Sequence, residues 1–185
     1  MLLLLLLLLL LPGWAQEESK PPFSGETTSY EDSVNGYRLL VPVEFALKNK
    51  GYSTNWEGPS VKDFATSLFV NVTPMPGVHP MAVYEGVIRS KKADRSVTAI
   101  QPVKFPMKLK GKPVYGFTCR ESDIDPGTGQ PKADGDHYRY HLFVWGNERA
   151  FQLTLGTSVA AHKAGTDINP VWEKVWKSFT PLKTP

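Results

Sequence analysis

Apolar and polar residues alternate along several short segments of the chain, which is the pattern of β-strands with one buried face. In residues 68–73, every second side chain is aliphatic. The longest pair of such segments comes late, where 138–145 and 149–155 flank a short loop at 146–148. A glycine-containing loop of this length is typical of an antiparallel hairpin. Further strands are predicted at 30–33, 37–43, 97–104 and 114–121.

A helical spacing replaces this alternation near the end of the chain. Asn169 suits the N-cap of a helix and Pro170 suits its first position, where a missing N–H group has no cost. The apolar side chains that follow recur on one helical face, namely Val171, Trp172, Val175, Trp176 and Phe179. This stripe predicts an amphipathic helix that packs on the sheet.

A second, weaker helical pattern covers residues 80–92. Gly86 lowers the helix propensity of this segment, so a strand remains an alternative for it. With mostly antiparallel strands, one middle helix and one C-terminal helix, the predicted class is α+β, an antiparallel sheet flanked by helices.

The chain opens with an unbroken run of leucines at 2–11. A helix of that length rises about 15 Å, which is half of the roughly 30 Å hydrocarbon layer of a membrane. Pro12 follows, and Gly13 and Ala15 place small side chains where a signal peptidase requires them. We expect residues 1–15 to be a cleaved signal peptide. The mature protein would then be exported to the periplasm or the extracellular space, with no stable membrane anchor.

Composition is consistent with one globular domain after this segment. Of the 185 residues, 41% are hydrophobic and 21% are charged, which is typical of a packed protein. We assign the polar residues 16–29 to a flexible leader and residues 30–182 to a single domain. The net charge of +3 is too small for the basic surface that nucleic-acid binding requires. Cys119 is the single cysteine, which excludes an intrachain disulfide, and we expect a buried, unreactive thiol.

The layout resembles the PsbP-like superfamily, which includes the photosystem II extrinsic protein PsbP and bacterial periplasmic DcrB-type proteins. The segments that carry the resemblance are 36–42, 68–73, 110–116, the late hairpin and 172–179. The resemblance implies a sheet flanked by helices and a non-enzymatic accessory role in an exported space. It transfers no catalytic residue to this chain.

Residues 123–136 form the segment with the strongest indication of ion binding. Asp123, Asp125, Asp134 and Asp136 offer oxygen ligands from a loop, which is the chemistry that Ca²⁺ prefers. The spacing departs from an EF-hand at its third ligand and at its turn glycine. The alternative is a solvated connection between two strands, made by Pro-Gly and Asp-Gly turns.

Histidines and catalytic motifs give little support to an enzyme. His137 and His141 lie about 13 Å apart if they share a strand, so they cannot bind one ion together. We expect both to face solvent beside Arg139. The chain lacks a nucleophile elbow, a zinc-binding helix motif, a phosphate loop and a dinucleotide fingerprint. A hydrolase with a dispersed site remains an alternative.

Two tryptophans are candidates for partner binding. Trp56 lies in a turn-rich polar stretch, and Trp145 lies beside the predicted hairpin turn, although either ring would also suit the edge of the core. We therefore expect an exported, non-catalytic accessory or binding protein of the cell envelope. Its partner would be an envelope protein or another exported component, and it would need no cofactor. A small-ligand or calcium-binding module using residues 123–136 is the second hypothesis.

Overall fold

The computed structural model describes residues 23–61, 64–102, 107–159 and 168–183. Within these ranges the chain forms strands and two helices, α1 (Pro80–Ala93) and α2 (Ile168–Ser178). The strands are β1 (Thr27–Asp32), β2 (Tyr37–Pro42), β3 (Ala46–Asn49), β4 (Ser53–Val61), β5 (Phe64–Pro74), β6 (Val97–Pro102), β7 (Met107–Leu109), β8 (Lys112–Ile124), β9 (Pro131–Gly146), β10 (Arg149–Ser158) and β11 (Thr180–Pro181).

The strands form two antiparallel sheets. The larger sheet has the order β3-β4-β5-β10-β9-β8-β6, and β7 pairs with β8 at its side. The smaller sheet has the order β1-β2-β11, so the end of the chain returns to pair with the first hairpin. This arrangement confirms the predicted α+β class and the helix in the middle of the chain.

The hairpin of β9 and β10 is tighter than the sequence pattern predicts. Gly146 pairs with Arg149, which leaves only Asn147 and Glu148 in the turn. Both turn residues have a left-handed backbone, with φ of 52° and 58°. Two such residues in succession are the signature of a type I′ turn, whose twist matches that of the strands. Asparagine tolerates this conformation, whereas for Glu148 it is unfavourable.

The main core lies between the large sheet, the small sheet and α2. Side chains from β10 and α2 meet there, and Phe151 packs edge-on against Phe179 at 5.2 Å between ring centroids. The predicted helical stripe is confirmed, because Val171, Trp172, Val175 and Phe179 are buried. Trp176 is half-buried and lies at the edge of this core.

A second, smaller core lies on the other face of the large sheet, beneath α1. Phe117, Cys119 and Phe143 are buried there, and Tyr84 and Ile88 of α1 pack against them. The middle of the sheet is therefore covered on both faces. This is why our expectation that His141 faces solvent is wrong: the ring is only 4% exposed.

Three boundaries differ from the predicted ones. The ring of Phe23 is buried and stacks on Phe45 at 5.9 Å, and β1 begins at Thr27, so the folded part includes residues that we assigned to the leader. Strand β8 extends to Ile124 and strand β9 begins at Pro131, so the connection predicted at 123–136 is shorter and covers only 125–130.

The predicted signal peptide, residues 1–15, lies outside the described residues.

No helix in the described ranges is both long enough and apolar enough to cross a membrane.

Candidate functional site

The two tryptophans proposed for partner binding occupy different environments. Trp56 of β4 is 2% exposed, and its ring meets Tyr30 edge-on at 4.9 Å in the main core. Its burial argues against contact with a partner. Trp145 of β9 is half-buried and lines a surface cleft. The ring stands edge-on to Tyr115 at 5.3 Å and stacks with Phe143 at 6.2 Å.

The cleft, hereafter the Trp145 cleft, lies between the start of α1 and the β9–β10 turn. Its volume is about 490 Å³, which is within the usual range for small-molecule sites. Side chains that line it include Val78, His79, Lys112, Tyr115, Trp145 and Arg149. Val78 is 44% exposed, so its aliphatic side chain is available for contact in the cleft. The cleft thus combines aromatic and aliphatic walls with polar groups.

Positive charge predominates in the Trp145 cleft. Lys112 and Arg149 contribute two cations to the lining, and Glu148 contributes one anion. Helix α1 begins at Pro80 in the cleft wall and carries no acidic side chain in its first turn. The side chain of His79 accepts a hydrogen bond from the N–H of Met81, and no acidic side chain of the first turn offsets the partial positive charge of the helix N-terminus. A second cavity, of about 170 Å³, shares Lys112 and Trp145 and adds Lys110.

A cluster of chemically active side chains lies beside Phe117, in the second core, where the ring of His141 stacks on Phe117 at 4.5 Å. Among the residues that the structure describes, Cys119, Glu121 and His141 form a group whose ligand atoms all lie within 4.8 Å of one another. The Sγ atom of Cys119 lies 3.4 Å from Nε2 of His141 and 3.3 Å from Oε1 of Glu121. All three residues are buried.

Two cations hold the carboxylate of this cluster. Nζ of Lys91, on α1, donates to Oε1 of Glu121 at 2.6 Å, and Nε of Arg139, on β9, donates to Oε2 at 2.6 Å. Burial alone would raise the pKa of Glu121, but these hydrogen bonds and charges outweigh it and lower the pKa to about 2. Glu121 is therefore ionised at neutral pH.

The thiol and the imidazole of the cluster are both neutral. Burial raises the pKa of Cys119 to about 12, with a further increase from the charge of Glu121. Burial lowers the pKa of His141 to about 3, and the positive charge of Lys91 adds to this effect. Nδ1 of His141 lies 3.0 Å from the hydroxyl of Thr154 and 3.1 Å from the amide nitrogen of Gln152.

A thiol next to an imidazole is also the arrangement of a cysteine nucleophile and its base. Here the thiol is 1% exposed, and its raised pKa keeps it protonated, so it is neither accessible nor activated. The burial that we expected for Cys119 is confirmed.

Sequence reasoning missed this cluster because its members come from neighbouring strands. On β8, Cys119 and Glu121 share a face by alternation, but only the pairing of Phe117 with His141 brings the imidazole beside them. A glutamate that follows Phe117 and Cys119 on the buried face of a strand was the available signal.

The predicted calcium ligands Asp123 and Asp125 lie at and just beyond the C-terminal end of β8, close in sequence to Glu121. Oδ1 of Asp123 lies 3.1 Å from Nε2 of His137. Oδ1 of Asp125 accepts hydrogen bonds from the backbone N–H groups of Gly127 and Thr128, at 2.7 and 2.9 Å. These contacts are those of a strand-connecting turn. The predicted ligands Asp134 and Asp136 have backbones in β9, but their side chains lie outside the described part of the structure.

No family profile and no curated protein sequence matches this chain. Solved structures do share its fold. The Ran-binding protein Mog1p of Saccharomyces cerevisiae matches with a TM-score of 0.58 and 8% identity, over 85% of this chain and 96% of that one.

Two further structures match comparably well. LpqN of Mycobacterium tuberculosis, a protein involved in cell envelope biogenesis, has a TM-score of 0.56 and 10% identity, covering 85% of this chain and 91% of that one. Cyanobacterial PsbP (CyanoP) of Synechocystis sp. PCC 6803 has a TM-score of 0.55 and 14% identity, covering 85% and 93%. The PsbP-like fold indicated by the sequence is thus confirmed. At these identities the similarity establishes the fold alone.

Proposed function

We propose that this chain is an exported, non-catalytic accessory protein that binds an acidic, partly apolar peptide segment of an envelope partner in the Trp145 cleft. The observation that carries the proposal is the composition of that cleft. Trp145 and Tyr115 supply aromatic contact area, and Lys112 and Arg149 supply positive charge, in a cavity of about 490 Å³. Aromatic and arginine side chains are the residues that contribute most to binding at protein interfaces.

Charge complementarity selects the chemistry of the partner. Two cations and the start of α1 face the cleft, against the single anion Glu148. An acidic segment would be attracted to this surface, whereas a basic segment would be repelled. The exposed side chain of Val78 at the rim gives an apolar residue of the same segment a place to pack.

The fold and the start of the chain are consistent with an accessory role in the envelope. Proteins with this fold include the Ran-binding protein Mog1p and LpqN, whose role is in cell envelope biogenesis. The leucine run at 2–11 supports export. The buried state of Cys119 supports the absence of thiol catalysis.

Fluorescence anisotropy with defined peptides tests the proposal. The probe is a labelled peptide of alternating glutamate and leucine, and the comparison peptide carries glutamine at each glutamate. We expect the acidic peptide to bind at least tenfold more tightly than the glutamine peptide, and added salt to weaken its binding. Equal affinity for the two peptides would refute the proposed charge recognition.

Variants then locate the binding site. Trp145→Ala and Lys112→Glu should each weaken binding of the acidic peptide by at least tenfold. Tyr52→Ala is the matched control, because Tyr52 is 71% exposed and is not part of the cleft lining. If Trp145→Ala binds the acidic peptide as the unchanged protein does, the Trp145 cleft is not the binding site.

A further inference from the structure

We infer that Cys119, Glu121 and His141 form a binding site for a soft monovalent cation, cuprous copper in particular. This inference is independent of the Trp145 cleft and of the proposed function. Thiolate sulfur and imidazole nitrogen are the ligands that soft d¹⁰ cations prefer, and the carboxylate of Glu121 is a third donor within 4.8 Å.

The distances between the donor atoms fit a single ion. Sγ of Cys119 and Nε2 of His141 are 3.4 Å apart. With metal–sulfur and metal–nitrogen bonds of about 2.3 and about 2.0 Å, this separation corresponds to a sulfur–metal–nitrogen angle of roughly 104°. The separation of these two donor atoms is therefore compatible with one shared ion.

Charge favours a monovalent ion over a divalent one. In the cluster as it stands, the anion Glu121 is paired with Lys91 and Arg139, and the thiol carries its proton. Binding of Cu⁺ by Cys119 replaces that proton: the sulfur–hydrogen bond is broken, a sulfur–copper bond forms, and the proton leaves to solvent. This exchange alone leaves the net charge of the buried cluster unchanged, and the displacement of Lys91 lowers it by one unit. A divalent ion such as Zn²⁺ would leave the cluster one unit more positive than Cu⁺ does, and each additional buried charge is costly.

The surroundings hold the ligands in place. Binding through Nε2 requires the ring proton of His141 on Nδ1, where the hydroxyl of Thr154, 3.0 Å away, can accept its hydrogen bond. The amide of Gln152, whose nitrogen lies 3.1 Å from Nδ1, must then turn its oxygen toward the ring. Arg139 holds Oε2 of Glu121 and leaves Oε1 beside the sulfur. Outer hydrogen bonds of this kind orient the ligands of metal sites.

Lys91 is the group that an incoming ion must displace. Its ammonium group donates to Oε1 of Glu121, the same oxygen that faces the thiol, and its side chain is 26% exposed. A partly exposed lysine on α1 can turn toward solvent, which opens a route to the cluster. Replacing Lys91 by leucine, which removes the repelling charge without adding a thioether ligand, should therefore strengthen copper binding.

Anaerobic titration of the purified protein with Cu⁺, buffered by a chromophoric cuprous chelator, tests the site. We expect one equivalent to bind, with release of one proton and a near-ultraviolet sulfur-to-copper absorption band. Cys119→Ser should abolish the band, and His141→Gln should weaken binding at least tenfold. His79→Gln is the matched control and should bind as the unchanged protein does, because His79 is exposed and lies in the Trp145 cleft.

Several outcomes would overturn the inference. Absence of stoichiometric binding would do so, as would unchanged affinity in His141→Gln, which would reduce the site to a lone thiol. Tighter binding of Zn²⁺ than of Cu⁺ would refute the charge argument. Because Cys119→Ser and His141→Gln alter the core, circular dichroism must show them folded. Lys91→Leu provides the second test: its affinity for Cu⁺ should rise, and a fall would contradict the displacement of Lys91.

Discussion

Lys91 of α1 and Glu121 of β8 form an ion pair of 2.6 Å at the edge of the second core. Arg139 of β9 occupies the other oxygen of the same carboxylate, so Glu121 joins the helix to two adjacent strands. Helix α1 has no fully buried side chain of its own. The ion pair therefore contributes a larger part of the interaction energy between α1 and the sheet than it would for a helix with a buried apolar face.

Replacing Lys91 by methionine should lower the free energy of unfolding by about 1 to 2 kcal/mol. The reason is that one of the two charged hydrogen bonds to a buried carboxylate is lost, while Arg139 keeps the other. Urea unfolding in the absence of copper measures the change. Lys92→Met is the matched control, because Lys92 is the exposed neighbour on the same helix turn and should shift stability by less than about 0.5 kcal/mol.

The buried imidazole of His141 should make the free energy of unfolding depend on pH. Its pKa is about 3 in the folded protein and about 6.5 in the unfolded chain, so only the unfolded chain takes up a proton between these values. The stabilisation is fully present above pH 6.5 and is lost as the pH falls toward 3. The expected slope below pH 6 is about 1.4 kcal/mol per pH unit from this residue.

Urea unfolding of the protein and of two variants, between pH 7 and pH 5, measures that slope. His141→Gln should flatten the dependence, since glutamine takes up no proton in this range. His79→Asn changes an exposed histidine, keeps an N-cap acceptor for the N–H of Met81, and should leave the slope intact. Equal slopes in the unchanged protein and in His141→Gln would show that the imidazole is not the group responsible.

The elements that the sequence predicted correctly are those whose signals are local. The β9–β10 hairpin is specified by alternating side chains and by Gly146 at the turn. Helix α2 is specified by a stripe of large apolar residues that includes Trp172 and Val175. In each case the segment itself carries its periodicity. The boundaries are less exact: α2 begins at Ile168, so the predicted N-cap Asn169 and first residue Pro170 lie inside the helix, and the hairpin turn has two residues instead of three.

The candidate sites were harder to predict because they depend on pairing between distant segments. The polar residues of β9 indicate a solvent-facing side, yet α1 covers the part of that side where His141 lies. Nothing within β9 encodes the position of a helix from another part of the chain. The same applies to the Trp145 cleft, where Val78 and Lys112 come from segments far apart in sequence.

Calcium should leave the thermal stability of the protein unchanged. In the turn at 125–130, Oδ1 of Asp125 already accepts two backbone N–H groups, and Asp123 is paired with His137. Calorimetric titration with Ca²⁺ should therefore give no binding heat. Asp125→Ala should lower the melting temperature equally with Ca²⁺ and with a chelator, whereas Asp125→Asn, which retains an acceptor, should stay closer to the unchanged protein. Binding heat together with a raised melting temperature would support the calcium hypothesis instead.

Gly86, which weakened the helical pattern of residues 80–92, offers a stabilising substitution. It lies in α1, and a Cβ atom added there would meet no atom within 4 Å. Alanine at this position should raise the free energy of unfolding by about 0.5 to 1 kcal/mol, because glycine loses more backbone entropy in a helix. Gly58→Ala is the opposing comparison: its Cβ would lie 2.5 Å from Oγ1 of Thr66 and 2.7 Å from the ring of Phe45.

That crowding should make Gly58→Ala destabilising by about 1 to 3 kcal/mol, since the buried ring of Phe45 must shift to admit the methyl group. Urea unfolding of both variants under one set of conditions gives the two changes. Opposite signs are expected because the same chemical change meets open space in α1 and a packed core at β4. If Gly86→Ala instead destabilises the protein, residues 80–93 do not form the helix described here.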